Sequence, residues 1–288
     1  MQTNMVKVMK GVVMTEIKKS ELVQLSKTMR QELIEILHKI QTGHPGGSLS
    51  CCEILSTLYF HTMNIDPKNP NMKNRDRLIL SKGHAAPMLY LCLAHKGFFP
   101  KEELQTLRQI GSILQGHPSA SKTPGVDLST GPLGLGLSAG VGMAEAAKLS
   151  RENYDVFVIL GDGEIQEGAI WEAAMSASKF KTDNLVAILD HNGVQLDGTN
   201  DEIMPLGDIG AKFESFGWHV LYADGHDVAD LAAKLEDARS YRGKPIILIA
   251  ETIKGKGVSF MEGKSEWHGK PISSDEYENA MSELEGRK

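Results

Sequence analysis

Cysteine is scarce: Cys51, Cys52 and Cys92 are the three in 288 residues, an odd number with no Cys-x-x-Cys pair. That excludes a disulfide framework and a cysteine-based zinc site, and leaves buried thiols in a reducing compartment as the expectation. No apolar run reaches the roughly 18 residues that a membrane span needs. Residues 1–19 are rich in Met and Lys but lack the apolar core and small-residue cleavage site of a secretory leader. A cytoplasmic location is therefore expected. Runs of Lys and Arg are missing too, and 31 basic against 37 acidic residues leave a net charge of −6, which argues against nucleic acid as a partner. A phosphorylated ligand would have to be held by local basic groups, helix N-termini and a metal ion. Neither a repeat nor a low-complexity linker divides the chain. It reads as an extension over residues 1–19 followed by a single domain over 20–288.

What the chain does have is alternation of helical and strand patterns. Ser20 to Ile40 carries Leu22, Leu25, Met29, Leu33, Ile36, Leu37 and Ile40 on one helical stripe, ended by Gly43. A second helix is expected from Ser48 to Tyr59, a loop from Pro67 to Asn74, and a short strand from Arg77 to Leu80. Pro87 to Lys96 and Lys101 to Ile110 read as helical. Gly111 to Gly131 has no periodicity, over a length that marks a functional loop in a compact domain. Leu133 to Leu149 is a Gly/Ala-rich helix able to approach a sheet closely. Four further strands are expected at Val156–Leu160, Leu185–Leu189, Trp218–Tyr222 and Ile246–Ala250. Helices fall at Glu167–Lys179, Ile209–Phe216 and Val228–Arg239, and the acidic segment Ser274–Arg287 is helical and reads as a natural terminus. This order predicts an α/β fold with a mostly parallel central sheet and helices on both faces.

Gly161-Asp162-Gly163-Glu164 follows the apolar run Val156–Leu160, so it lies at the carboxyl end of a strand, where open α/β sheets bind ligands. Asn192 comes thirty residues after Asp162, on the next strand's carboxyl-end loop. One βαβ unit thus brings a carboxylate and an amide oxygen to one edge. These are hard ligands for Mg²⁺, which takes one or two protein carboxylates and completes its octahedron with water and ligand phosphates. The glycines allow the backbone to approach such a ligand closely. The alternative is an ordinary turn that binds nothing.

Ten histidines are present, and four of them sit in loops beside glycine or proline: His44, His84, His117 and His268. Imidazole hydrogen-bonds phosphates and hydroxyls and moves protons near neutral pH, so four in such frames point to a site. His38, His61, His95 and His219 fall on helices or strands and read as structural. His226 belongs to a turn, and His191 stays undecided beside Asn192.

Seven motifs now stand in order: Gly43-His44-Pro45-Gly46-Gly47, Ser81-Lys82-Gly83-His84-Ala85-Ala86, Gly116-His117-Pro118, Ser129-Thr130-Gly131-Pro132-Leu133-Gly134, Gly161-Asp162-Gly163-Glu164, Asp190-His191-Asn192 and Trp267-His268-Gly269. Together, with Thr252 to Glu262, they resemble the diphosphate-binding domain of the transketolases, from about Glu21 to Pro271. The resemblance implies a thiamine-diphosphate-binding fold. It implies thiamine diphosphate with Mg²⁺, or Ca²⁺ or Mn²⁺ in its place, the metal being held by Asp162, Asn192 and the carbonyl of Val194. His84, Gly131, Pro132, Leu133, Gly163, Asn192 and His268 would contact the cofactor, with Gly161 and Glu164 of the same motif. His44, His117 and His268 would handle the oxygens of the sugar, and Glu167 would meet a carboxylate of the partner.

Full-length members of that family are more than twice as long and add a pyrimidine-binding and a C-terminal domain, which this sequence lacks. It resembles the N-terminal subunit of a split transketolase. Such a subunit moves a two-carbon ketol unit between sugar phosphates together with a C-terminal subunit, as a dimer or an α₂β₂ assembly. Two alternatives stand beside this. One is a subunit of another enzyme of the kind, a deoxyxylulose-phosphate synthase or a 2-oxoacid dehydrogenase, whose members lack these histidine motifs in this form. The other is a non-catalytic cofactor-binding subunit, which would be expected to have lost Asp162, Asn192 or the histidines.

Overall fold

A computed structural model describes residues 14–286. Its centre is a five-stranded parallel sheet, made of β1 (Arg77–Leu80), β2 (Val156–Gly161), β3 (Leu185–His191), β4 (His219–Asp224) and β5 (Ile246–Glu251), in the order β1-β2-β3-β5-β4. The three inner strands are apolar almost throughout because both sheet faces are covered. Their side chains alternate between two cores. Phe157, Ile159, Val186, Ile188, Ile246 and Leu248 face one side. Val156, Val158, Leu160, Leu185, Ala187, Leu189, Ile247 and Ile249 face the other.

The first core is closed by α1 (Glu16–Ile40), α2 (Pro45–Ser50), α3 (Cys52–Thr57) and α4 (Ala86–Lys96). The second is closed by α5 (Leu135–Ser150), α6 (Gly168–Phe180) and, after the single turn α7 (Asn200–Ile203), by α8 (Ile209–Ser215). Helices α9 (Val228–Ser240) and α10 (Ser274–Glu285) return to the first side. Close approach of α5 depends on its small residues. A Cβ on Gly140 would lie 2.6 Å from Val158 Cγ2, so the helix can rest on β2 only with glycine there.

Three elements differ from the sequence expectation. Helix α1 begins at Glu16, because the Thr15 hydroxyl accepts from the Lys18 amide (3.2 Å) and caps it, so residues 16–19 join the helix. The remainder of the expected extension, residues 1–13, lies outside the described residues. The single helix expected from Ser48 to Tyr59 is three pieces, α2, α3 and a π-helical turn at Leu58–Thr62. It breaks at Cys51 (φ −94°, ψ 14°), next to Ser50, whose hydroxyl donates to the buried Asp190 at 2.6 Å. The expected helix Lys101–Ile110 is a 3-10 helix over Lys101–Thr106, ended by its cap residue Leu107, whose backbone turns away at φ −48°, ψ 128°. No described helix is long and apolar enough to cross a membrane. The three cysteines are free and buried.

Candidate functional site

Gly161 and Asp190 are neighbours across β2 and β3, so Asp162 and Asn192 leave adjacent strand ends side by side. Asp162 is 2% exposed. Its Oδ2 accepts from the Gly193 amide at 2.6 Å, while Oδ1 is buried with no protein donor. Burial pushes the carboxyl up to about 6. An orphaned carboxylate oxygen in a dry site is costly unless something positive meets it. Asn192 Oδ1 takes the Val194 amide at 3.2 Å, which turns the loop so that Val194 lines the same cavity. Among the described residues no cluster of three His, Cys, Asp or Glu could hold a metal by itself. One carboxylate, one amide and one carbonyl fit a hard cation that is completed by a ligand's phosphates.

The cavity at these strand ends has a volume of about 190 Å³, and its wall includes His84, Leu133, Gly161, Asp162, Gly163, Glu164, Asn192, Val194 and His268. Lys82 and Lys254 line it as well. Lys82 is buried, ion-paired with Asp190, and donates to the Gly47 carbonyl at 2.9 Å. Lys254 donates to the Gln195 carbonyl (2.9 Å) and to His268 Nδ1 (3.3 Å). Burial, and then the charge of Lys82, pull its pKa down to about 8.

Four imidazoles crowd the mouth. The His44 ring lies 5.4 Å from that of His84, 5.3 Å from His268 and 6.3 Å from His117, and His84 lies 4.9 Å from His268. Burial and the neighbouring cations lower all four: His44 and His268 to about 4, His84 well below its usual value, and His117 in the same direction. Each ring is therefore neutral at pH 7 and offers one N–H and one lone pair.

A wider open groove, about 630 Å³ at the ends of β4 and β5, shares none of these residues. Its histidine, His226, has both nitrogens engaged, by Glu53 (3.0 Å) and the Ile253 amide (2.9 Å). The smaller cavity is the candidate site.

The family described as "Transketolase, thiamine diphosphate binding domain" matches residues 22–286. The chain belongs to that family. It is 45% identical to the 6-deoxy-6-sulfo-D-fructose transketolase subunit of Clostridium sp. (strain MSTE9), over 92% of this chain and 96% of that one. It is 44% identical to an apulose-4-phosphate transketolase subunit of Phocaeicola vulgatus, over 91% and 93%. Among solved structures, the transketolase from Campylobacter jejuni superposes with a TM-score of 0.86 at 33% identity, over 92% of this chain and 43% of that one. The chain thus spans nearly the whole of its subunit relatives and less than half of a full-length transketolase.

In this transketolase domain, the residues expected to meet cofactor and metal converge, with two qualifications. Glu164 is in the wall, but its carboxylate accepts from the Ser81 hydroxyl, the Gly134 amide (3.0 Å) and the Gly161 amide (3.1 Å). Those bonds make it a clamp joining three of the motifs. Gly131, Pro132, His44, His117 and Glu167 stand outside that wall. A Cβ on Gly131 would lie 3.5 Å from the His117 ring, and Glu167 sits exposed against Gly134. His191, undecided from sequence, pairs with Glu251 through Nδ1 at 2.9 Å. His38 Nδ1 donates to the Ile272 carbonyl (2.9 Å), His95 pairs with Glu32 (2.5 Å), and His219 stacks on Tyr241, all away from the cavity. Sequence reasoning missed Lys82 and Lys254. Their signal was a lysine inside each glycine-flanked motif, but its direction depends on partners far along the chain.

Proposed function

We propose that this chain is the cofactor-anchoring half of a transketolase. With a partner subunit carrying the pyrimidine-binding domain, it moves a two-carbon ketol unit from a ketose phosphate to an aldose phosphate, using thiamine diphosphate and Mg²⁺, or Ca²⁺ or Mn²⁺ in its place. The observation that carries this reading is the unpartnered oxygen of Asp162, a residue in the wall of a cavity that holds two buried lysines beside four neutral histidines.

Asp162, Asn192 and the Val194 carbonyl would hold the metal, the Lys254 ammonium would offset diphosphate charge, and His84 would donate its one N–H to a phosphate oxygen. The cofactor, when bound, supplies a nucleophilic carbon that the protein has no group to replace. His44, His117 and His268 would donate to sugar hydroxyls and to charge developing on oxygen. Fixed neutral donors in a half-buried site stabilise such charge without reorganising. Glu167, exposed at the start of α6, would face the partner. The two subunit relatives are named for 6-deoxy-6-sulfo-D-fructose and for apulose 4-phosphate; for this chain, pentose phosphates are the first candidates.

Titration calorimetry with thiamine diphosphate and Mg²⁺, on the chain co-expressed with a pyrimidine-domain partner, tests the reading. Metal-dependent binding that is lost in Asp162→Ala supports it. Equal affinity with and without metal overturns the site assignment.

A further inference from the structure

Among the described residues, four that are not glycine have φ in the left-handed region: Gln41, Arg108, Arg151 and Lys181. Gln41, Arg151 and Lys181 end α1, α5 and α6, where that conformation is routine. Arg108, at φ 63°, ends no α-helix. A side chain held in this region away from an α-helix end is uncommon, and such residues gather at functional sites.

The backbone of Arg108 is pinned by its amide, which donates to the Leu114 carbonyl at 2.9 Å. Its side chain reaches three partners. Nη1 donates to Thr42 Oγ1 at 2.9 Å, and Nη2 donates to His44 Nδ1 at 3.4 Å and to the Gly116 carbonyl at 3.5 Å. A Cβ on Gly116 would stand 3.3 Å from Arg108 Nε, so the guanidinium lies against the glycine that precedes His117. Burial lowers its pKa, whereas the ion-paired Arg30 and Arg239 are raised. This guanidinium is not engaged in a structural salt bridge of that kind.

A guanidinium has five N–H donors and no acceptor. The His44 nitrogen that meets it must be the one with the free lone pair, which leaves the ring proton on Nε2. We propose that Arg108 is a positioning residue: it fixes His44 as the Nε2–H tautomer and ties the His44 loop to the His117 loop. The freed end of the ring is on the side of the site, since a Cβ on Gly269, next to His268, would lie 3.8 Å from His44 Nε2. Burial and the charge of Arg108 keep His44 neutral, so it has a single proton to place. That the donor serves a sugar oxygen rests on the function proposed above. The tautomer itself does not.

Nitrogen-15 NMR of the labelled full chain reads the tautomer directly, the His44 ring signals being assigned by their loss in His44→Gln. At pH 7 the wild type is expected to show a protonated Nε2 and a bare Nδ1. Arg108→Met should give a mixture of tautomers, and Arg108→Lys, which keeps a donor, should restore the Nε2–H form as the major one. With the partner present, Arg108→Met should lower kcat about tenfold or more, as loss of fixed geometry does, while cofactor affinity stays within about twofold. A wild-type His44 protonated on Nδ1 overturns the proposal, as does an unchanged tautomer in Arg108→Met. Should that variant not fold by circular dichroism, Arg108→Leu, which also lacks a donor, is read in the same way. Absence of ketol transfer with any partner would strike the functional reading alone, because the ring signals need neither substrate nor cofactor.

Discussion

His44 and His268 are pulled down to about 4 by burial and by Arg108 and Lys254 respectively. In the unfolded chain they titrate near 6.5. Between those values the unfolded state binds more protons than the folded one, so stability rises with pH from about 4 to about 6.5 and is lost as acid is added. Thermal melts of the chain from pH 7 to pH 4.5 should show that fall, and His44→Gln with His268→Gln should flatten it. A slope unchanged in the double variant would mean that other groups carry the acid sensitivity. The same rings bear on turnover. If they donate to sugar oxygens, His44→Ala and His268→Ala should each lower kcat by about 10²–10⁴, with metal affinity nearly unchanged. Near-normal kcat in both would return them to loop structure. Asp162→Ala has the opposite profile: metal-dependent cofactor binding goes, and the fold stays, since the side chain sits at a strand end and accepts from the Gly193 amide rather than packing in either core.

At the scale of elements, α5 is the part whose packing depends most on absent side chains. A Cβ on Gly140 would crowd Val158 and Leu185 at 2.6 and 3.3 Å, so Gly140→Val has to push the helix off β2. Overpacking of this kind costs about 1–3 kcal/mol, and a β-branched residue in a tight helix adds to it. A melt showing no loss would mean that α5 is free to shift. This helix was legible in the sequence, as were the five strands, because apolar runs and small-residue spacing are local signals. So was the line of motifs that meets at the strand ends. The break at Cys51 was not. It coincides with a hydroxyl bond from Ser50 to Asp190, a residue 140 positions along the chain. The buried Lys82–Asp190 pair joins residues 108 positions apart, and the Arg108 fork joins Thr42, His44 and Gly116. Contacts of that separation leave no periodic trace, so the motifs marked where chemistry gathers but not which side chains hold it in place.

At the scale of the molecule, the site is open on the side where α5 and α6 begin. The outward stripe of α5 carries Leu135 (56% exposed) and Leu149 (84%) with Gly142 and Ala146 between them, and α6 shows Met175 (60%) and Phe180 (54%). Leu133 and Leu196, beside the cavity mouth, are exposed too. Apolar side chains gathered in this way mark an interface. The chain spans 43% of the length of the Campylobacter jejuni transketolase, so by the function proposed here a second polypeptide completes the site across this face. Obligate interfaces bury roughly 2,000 Å² or more and are largely apolar, which a surface of this make-up can supply. The chain alone should then self-associate as a dimer or aggregate and show no ketol transfer, and co-expression with the partner should give an α₂β₂ particle with activity. Leu135→Glu combined with Met175→Glu, both already exposed, should leave the chain's circular dichroism unchanged and abolish the assembly. Light scattering during size-exclusion chromatography reads the mass. A fully active, partner-free chain would refute the split-enzyme reading, and an intact assembly in the double variant would move the interface to another face.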